Sequence, residues 1–190
     1  MSELILIIGG CRSGKSAFAV ALARQLELPT MFLAPCLPGT DTEMLARVEG
    51  HRAQRPEEWQ VREEGYALAQ VLGQADKPVV VLDCVPTWLG NLLVRGDPDF
   101  EIEAACGDLR QAMQICPARL VLCVTAEVGT GLVPETALGR RFRDRVGIAN
   151  KLLAATASRV FLLVAGLAVD LKQQAAGVDV IAGDIRRRLG

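Results

Sequence analysis

Leu4-Ile5-Leu6-Ile7-Ile8-Gly9-Gly10-Cys11-Arg12-Ser13-Gly14-Lys15-Ser16 decides the reading of this chain. Five apolar, partly β-branched residues read as a buried parallel strand. They pass straight into Gly-x-x-x-x-Gly-Lys-Ser at Gly9 to Ser16, where a helical pattern begins. Strand, glycine-rich turn and helix, in that order, are the context in which this motif binds phosphate. Glycine lets the backbone turn tightly enough for successive N–H groups to face phosphate oxygens, and the helix start adds partial positive charge. Gly9, Gly10, Cys11, Arg12, Ser13 and Gly14 then form the cradle. Lys15 reaches the outer phosphates and Ser16 offers its hydroxyl to magnesium. A plain glycine-rich turn is the alternative, and four fixed positions in the right context speak against it.

Outward from this loop the pattern alternates. Short apolar runs at residues 30–33, 79–82, 120–124 and 160–164 read as further buried strands. Spacing near 3.6 predicts helices over residues 15–26, 41–54, 66–74, 100–116 and 137–157. The expectation is an α/β fold, a mostly parallel sheet flanked by helices, with ligands gathered at the carboxyl ends of the strands. The run Val79-Val80-Val81-Leu82 closes on Asp83, a carboxylate placed to hold magnesium through water. A turn also accounts for an Asp at a strand end, and the phosphate loop tips the reading toward function.

With 190 residues and no internal repeat or long linker, one domain over 1–190 is expected. The 21 Lys plus Arg against 22 Asp plus Glu leave a net charge of -1, which argues against sequence-independent binding to a nucleic-acid backbone. The six cysteines form no Cys-x-x-Cys pair and there is one histidine to join them, so a zinc site is not expected. No cationic segment precedes the first apolar run, and the run over residues 160–169 falls well short of the ~20 residues that span a bilayer. A cytoplasmic chain with reduced thiols is the expectation.

The single histidine, His51, lies in the helical stretch 41–54, whose start carries a capping box of Thr40 and Glu43. It shares a face with Met44 and Val48, so a packed imidazole is one reading. The other is a nucleophile toward phosphorus: Arg47, Arg52 and Arg55 surround it, and an unperturbed imidazole with a pKa of about 6.5 is largely neutral at pH 7.

At this point the chain resembles the bifunctional adenosylcobinamide kinase and adenosylcobinamide-phosphate guanylyltransferase family of cobalamin biosynthesis. The resemblance covers Gly9 to Ser16, residues 41–56 with Trp59, the Asp83 strand, and Glu127-Val128-Gly129-x-Gly131-x-Val133-Pro134-Glu135 followed by Arg141-Phe142-Arg143-Asp144-x-x-Gly147-x-x-Asn150. It implies a RecA-like P-loop NTPase fold, a homotrimer, and ATP or GTP as phosphate donor for adenosylcobinamide. It further implies that His51 attacks the α-phosphorus of GTP and hands GMP to adenosylcobinamide phosphate. It places nucleotide contacts at the phosphate loop, at Ala34, Pro35 and Cys36, at Arg52, Ala53, Gln54 and Arg55, at Glu63 and at Asp83. Three positions depart from the pattern: Ala126 stands where Asn is common, Asp83 where some members have Glu, and Gly50 where some have a second histidine. Residues 170–190 lie beyond the resemblance and carry no functional reading.

Arg140, Arg141, Arg143, Arg145 and Lys151 crowd one predicted helix beside a single acid, Asp144, and are read either as partners for phosphates or a neighbouring subunit or as a solvated face. Competing functions are a simpler small-metabolite kinase in which His51 only packs, a nucleotide-dependent switch, and a DNA-processing ATPase. Asn150-Lys151 lacks the Asp that completes a guanine-reading Asn-Lys-x-Asp, which counts against the switch. The balanced charge counts against the ATPase.

Overall fold

The computed structural model describes residues 2–37, 56–178, 182 and 185–187. Seven strands form one sheet: β1 (Glu3–Gly9), β2 (Thr30–Ala34), β3 (Gln60–Glu63), β4 (Val79–Asp83), β5 (Leu120–Val124), β6 (Arg159–Val164) and β7 (Leu167–Asp170). Their order is β3-β2-β4-β5-β1-β6-β7. All neighbours are parallel except β6 and β7, which form an antiparallel pair. The described helices are α1 (Lys15–Gln25), α2 (Leu68–Gly73), α3 (Val85–Arg95), α4 (Asp99–Ile115), α5 (Ala137–Thr156) and α6 (Leu171–Gln174).

Period-two alternation sorts the central strands onto two covered faces. Leu4, Leu6, Ile8, Met31, Leu33, Val80, Leu82, Val121 and Cys123 pack against α2, α3, α4 and α5, through residues such as Leu72, Trp88, Met113 and Leu153. Ile5, Ile7, Phe32, Val79, Val81, Leu122 and Val124 face the other way, onto Ala19, Val20 and Ala23 of α1 and onto Trp59. Because both sides are covered, the central strands are apolar throughout, which is why they were legible as continuous runs.

Five expected strands and four expected helices are present, with ends shifted by a residue or two. The predicted helix over 41–54, with His51, lies outside the described residues. Four elements were not expected, the short α6 among them. β3 reads Gln-Val-Arg-Glu and is mostly exposed at the sheet edge, so no apolar run marks it. β7 is a four-residue exposed edge strand. Helix α3 starts with Pro86 in its first turn and stops at Gly96, whose φ of 96° suits only a residue without a side chain. Trp88, Leu89, Leu92 and Leu93 bury one stripe of it against the sheet.

Helices α4 and α5 are joined by ion pairs across their exposed sides. Arg141 donates through both Nε and Nη2 to Asp99 Oδ1, at 3.2 and 2.8 Å, and Nη2 also reaches the Asp97 carbonyl at 3.1 Å. Arg145 pairs with Glu103. Half-exposed pairs of this kind add roughly 0–1 kcal/mol each, so they align the two helices more than they hold the fold.

Candidate nucleotide-binding edge

The phosphate loop leaves β1 at Gly9 and enters α1 at Lys15. Gly9 has no room for a side chain: a Cβ there would lie 2.4 Å from the Leu163 carbonyl oxygen and 2.7 Å from Ser13 Oγ. Gly14 takes φ 95° as the residue before the helix. By contrast a Cβ on Gly10 would meet nothing within 4 Å among the described residues. The loop is tied down from outside as well, since Gly166 N donates to the Ser13 carbonyl at 3.0 Å and Glu127 N donates to the Gly9 carbonyl at 3.0 Å. Lys15 Nζ donates to the Gly10 carbonyl at 2.6 Å, which folds the ammonium over its own loop with two further N–H donors for a ligand. Ser13 Oγ is buried without a hydrogen-bond partner among the described residues. Gly9→Ala is therefore expected to destabilise the fold by about 3 kcal/mol, the upper end of overpacking costs, because a backbone carbonyl must move. Urea unfolding of the variant against wild type measures it.

Every described residue expected to touch nucleotide sits on the same edge of the sheet. Ala34 ends β2, Glu63 ends β3, and the two stand opposite each other in register. Asp83 ends β4 opposite Val124 of β5, and the Asp83–Cys84 peptide bond is cis. Burial pushes the Cys84 thiol up, the Asp83 carboxylate pushes it further, and the Lys15 ammonium pulls the other way. Lys15 opens the helix that follows β1 and Asp83 ends β4, with β5 alone between these parallel strands, so loop and strand end are near neighbours at the carboxyl ends of the sheet. Cys36 is partly buried just past β2. Arg52, Ala53, Gln54, Arg55 and His51 lie outside the described residues.

Two asparagines that composition and periodicity did not mark as structural brace this edge. Asn150 of α5 accepts from Thr125 Oγ1 at 2.6 Å and donates to the Ala126 carbonyl at 2.9 Å. Thr125 N in turn donates to the Ile7 carbonyl at 2.9 Å, so Asn150 fixes the exit of β5 beside the phosphate loop. The substitution at Ala126 leaves this contact in place, since Asn150 uses the main chain there. Asn91 of α3 donates to the carbonyls of Pro35 and Gly65. A donor with two carbonyl partners far away in sequence leaves no local signal.

The α5 cations divide. Arg141 and Arg145 are engaged with Asp99 and Glu103 of α4, and Arg140 donates to the Pro134 and Glu135 carbonyls at 3.0 and 2.7 Å, securing the loop before its own helix. Of the readings open for these three, phosphates, a neighbouring subunit or a solvated face, the structure adds a further role, since each is engaged by an acidic or carbonyl partner on another helix or in the preceding loop. Among the described residues, no helix is long and apolar enough to cross a membrane.

A phosphate loop on a central parallel strand, a carboxylate strand separated from it by one other strand, and helices on both faces define a nucleotide-binding P-loop protein of RecA-like architecture. Its fold is similar to that of an ATPase from the type III secretion system of pathogenic bacteria, with TM-score 0.55 and 12% identity over 95% of this chain and 60% of that one. The chain belongs to the family described as cobinamide kinase / cobinamide phosphate guanyltransferase, which matches residues 5–171. It is 41% identical to the bifunctional adenosylcobalamin biosynthesis protein CobU of Escherichia coli strain K12, over 89% of this chain and 99% of that protein. It is 40% identical to the bifunctional adenosylcobalamin biosynthesis protein CobP of Pseudomonas aeruginosa, over 88% of this chain and 96% of that one.

Proposed function

We propose that this chain phosphorylates adenosylcobinamide with ATP or GTP, then transfers GMP from GTP to adenosylcobinamide phosphate, giving adenosylcobinamide-GDP. The observation that carries the reading is the placement of the phosphate loop with Lys15, and of Asp83, Ala34 and Glu63, at the carboxyl ends of the parallel strands of one sheet, in a chain of this family. In the first step the corrinoid side-chain hydroxyl attacks the γ-phosphorus. A new O–P bond forms, the bridge to the β-phosphate breaks, and the nucleoside diphosphate leaves while the hydroxyl proton passes to solvent. Loop N–H groups, from Gly9 through Ser16, and Lys15 meet the charge that gathers on the phosphate oxygens. In the second step an imidazole nitrogen of His51 attacks the α-phosphorus of GTP, a P–N bond forms and pyrophosphate leaves. A phosphate oxygen of adenosylcobinamide phosphate then displaces the imidazole and takes GMP.

Ser16 and Asp83 supply hard oxygen donors, which fit magnesium rather than a thiophilic metal. Held there with the nucleotide, magnesium supplies charge neutralisation of the phosphates. Asp83→Asn keeps the side-chain shape and removes the charge, so the magnesium concentration for half-maximal activity is expected to rise about tenfold. Titrating magnesium in the kinase assay checks this, and an unchanged midpoint removes Asp83 from the role. We further assign nucleotide contacts to Pro35, Cys36, Arg52, Ala53, Gln54 and Arg55, a homotrimeric assembly and a cytoplasmic location, on the strength of the resemblance. The kinase half is tested by incubating the chain with adenosylcobinamide and γ-labelled ATP or GTP. Labelled corrinoid is expected, and an unlabelled corrinoid pool overturns it.

A further inference from the structure

Asn91 lies on α3, the helix that begins just past Asp83. Its Nδ2 donates to the Pro35 carbonyl at 3.2 Å and to the Gly65 carbonyl at 3.0 Å. Both partners are acceptors only, so the orientation of the amide is fixed: the NH₂ faces the loops and both of its protons are used. Pro35 directly follows Ala34 at the end of β2, and Gly65 lies two residues past Glu63 at the end of β3. These loops also touch each other, since a Cβ on Gly65 would come within 2.2 Å of the Leu37 side chain.

The same stripe of α3 repeats the grip. Trp88 Nε1 donates to the Tyr66 carbonyl at 2.9 Å, and the Arg95 guanidinium lies 4.4 Å from the centre of the Tyr66 ring. Positions 88, 91 and 95 follow i, i+3, i+7 spacing and so present one face. Trp88 and Arg95 hold the β3 loop alone. Asn91 is the member of the stripe that joins the β2 loop to it.

Strand order gives this staple a meaning for the site. Counting from β1, the β2 strand is third and β3 fourth. At a spacing of ~4.8 Å the two loops stand roughly 14 and 19 Å from the phosphate loop strand. Ala34 and Glu63, assigned above to the nucleotide, stand at the starts of these loops, so a ligand with its phosphates on Gly9 to Ser16 would reach them with its far end, the nucleoside. We propose that Asn91 is a positioning residue that sets the nucleoside-binding half of the site by holding the Pro35 and Gly65 loops to α3, while the phosphate loop holds the triphosphate independently of it. This rests on the nucleotide reading above and adds a division of the site into two separately built halves.

Inorganic tripolyphosphate carries the phosphates without the nucleoside, so it separates the halves. Magnesium complexes of GTP and of tripolyphosphate are titrated into the full chain, as wild type and as Asn91→Ala. GTP is expected to bind about tenfold more weakly to the variant while tripolyphosphate binding stays within about twofold, and in turnover the nucleotide KM rises about tenfold with kcat within about threefold. A role confined to folding would weaken both ligands together or lower only the active fraction. Equal losses for the two ligands, or no loss for GTP, overturn the assignment. If Asn91→Ala is poorly folded, Asn91→Asp keeps the volume and removes the donors, and the same contrast between ligands is required of it. A wild-type chain that binds neither ligand sinks the nucleotide reading, and this role with it.

Discussion

Lys15→Ala is expected to lower both phosphoryl and guanylyl transfer roughly a thousandfold, the upper range for removing one donor aimed at developing phosphate charge. Both steps are lost together because both use a nucleotide whose phosphates rest on the same loop. The fold should survive. Lys15 is only partly buried, and the hydrogen bond it makes among the described residues runs to the Gly10 carbonyl, which also accepts from Ser13 N. Losing such a bond costs about 1 kcal/mol or less. Activity assays beside a thermal unfolding curve separate the two effects, and a folded variant with full activity removes Lys15 from the chemistry.

His51→Asn divides the two activities instead of removing both. Asparagine keeps polarity and approximate size but has no nitrogen lone pair comparable to that of neutral imidazole. Guanylyl transfer is expected to fall at least about 10⁴-fold, as losses of a covalent nucleophile do, while corrinoid phosphorylation continues on the intact phosphate loop. The contrast excludes a simple folding defect, since one chain reports both activities. Guanylyl transfer that persists in the variant at the wild-type rate returns His51 to the role of a packed histidine and leaves a plain kinase.

The parts of this protein that were legible in its sequence are those fixed by local rules. Leu4 to Ile8 is a strand because both its faces are buried, Gly9 is glycine because the Leu163 carbonyl leaves no room for a Cβ, and Gly14 leads into α1 with a left-handed backbone. Asp83 was legible as the end of an apolar run. What escaped depends on partners distant in the chain. β3 exists because its main chain pairs with β2, whatever its polar side chains suggest, and α3 buries a full stripe despite Pro86 and Gly90. The α5 arginines looked unpaired because Asp99 and Glu103 lie some forty residues earlier in the sequence. Asn91 and Asn150 act through main-chain carbonyls, or through a threonine on another element, and no pattern of side chains announces that.

Covalent guanylylation is the step on which the proposed two-step reaction turns, and GTP carrying label at either the α or the γ phosphate tests it directly. The wild-type chain is incubated with each, denatured, and then exposed to acid or alkali. With the α label, the denatured protein should retain radioactivity that acid releases and alkali spares, because protonation of the P–N bond makes imidazole a good leaving group. Subsequent addition of adenosylcobinamide phosphate to native labelled protein should move that label to the corrinoid. The γ label should not remain on protein through this bond. An unlabelled protein that nevertheless transfers GMP, or label that resists acid, would contradict a guanylyl-histidine intermediate.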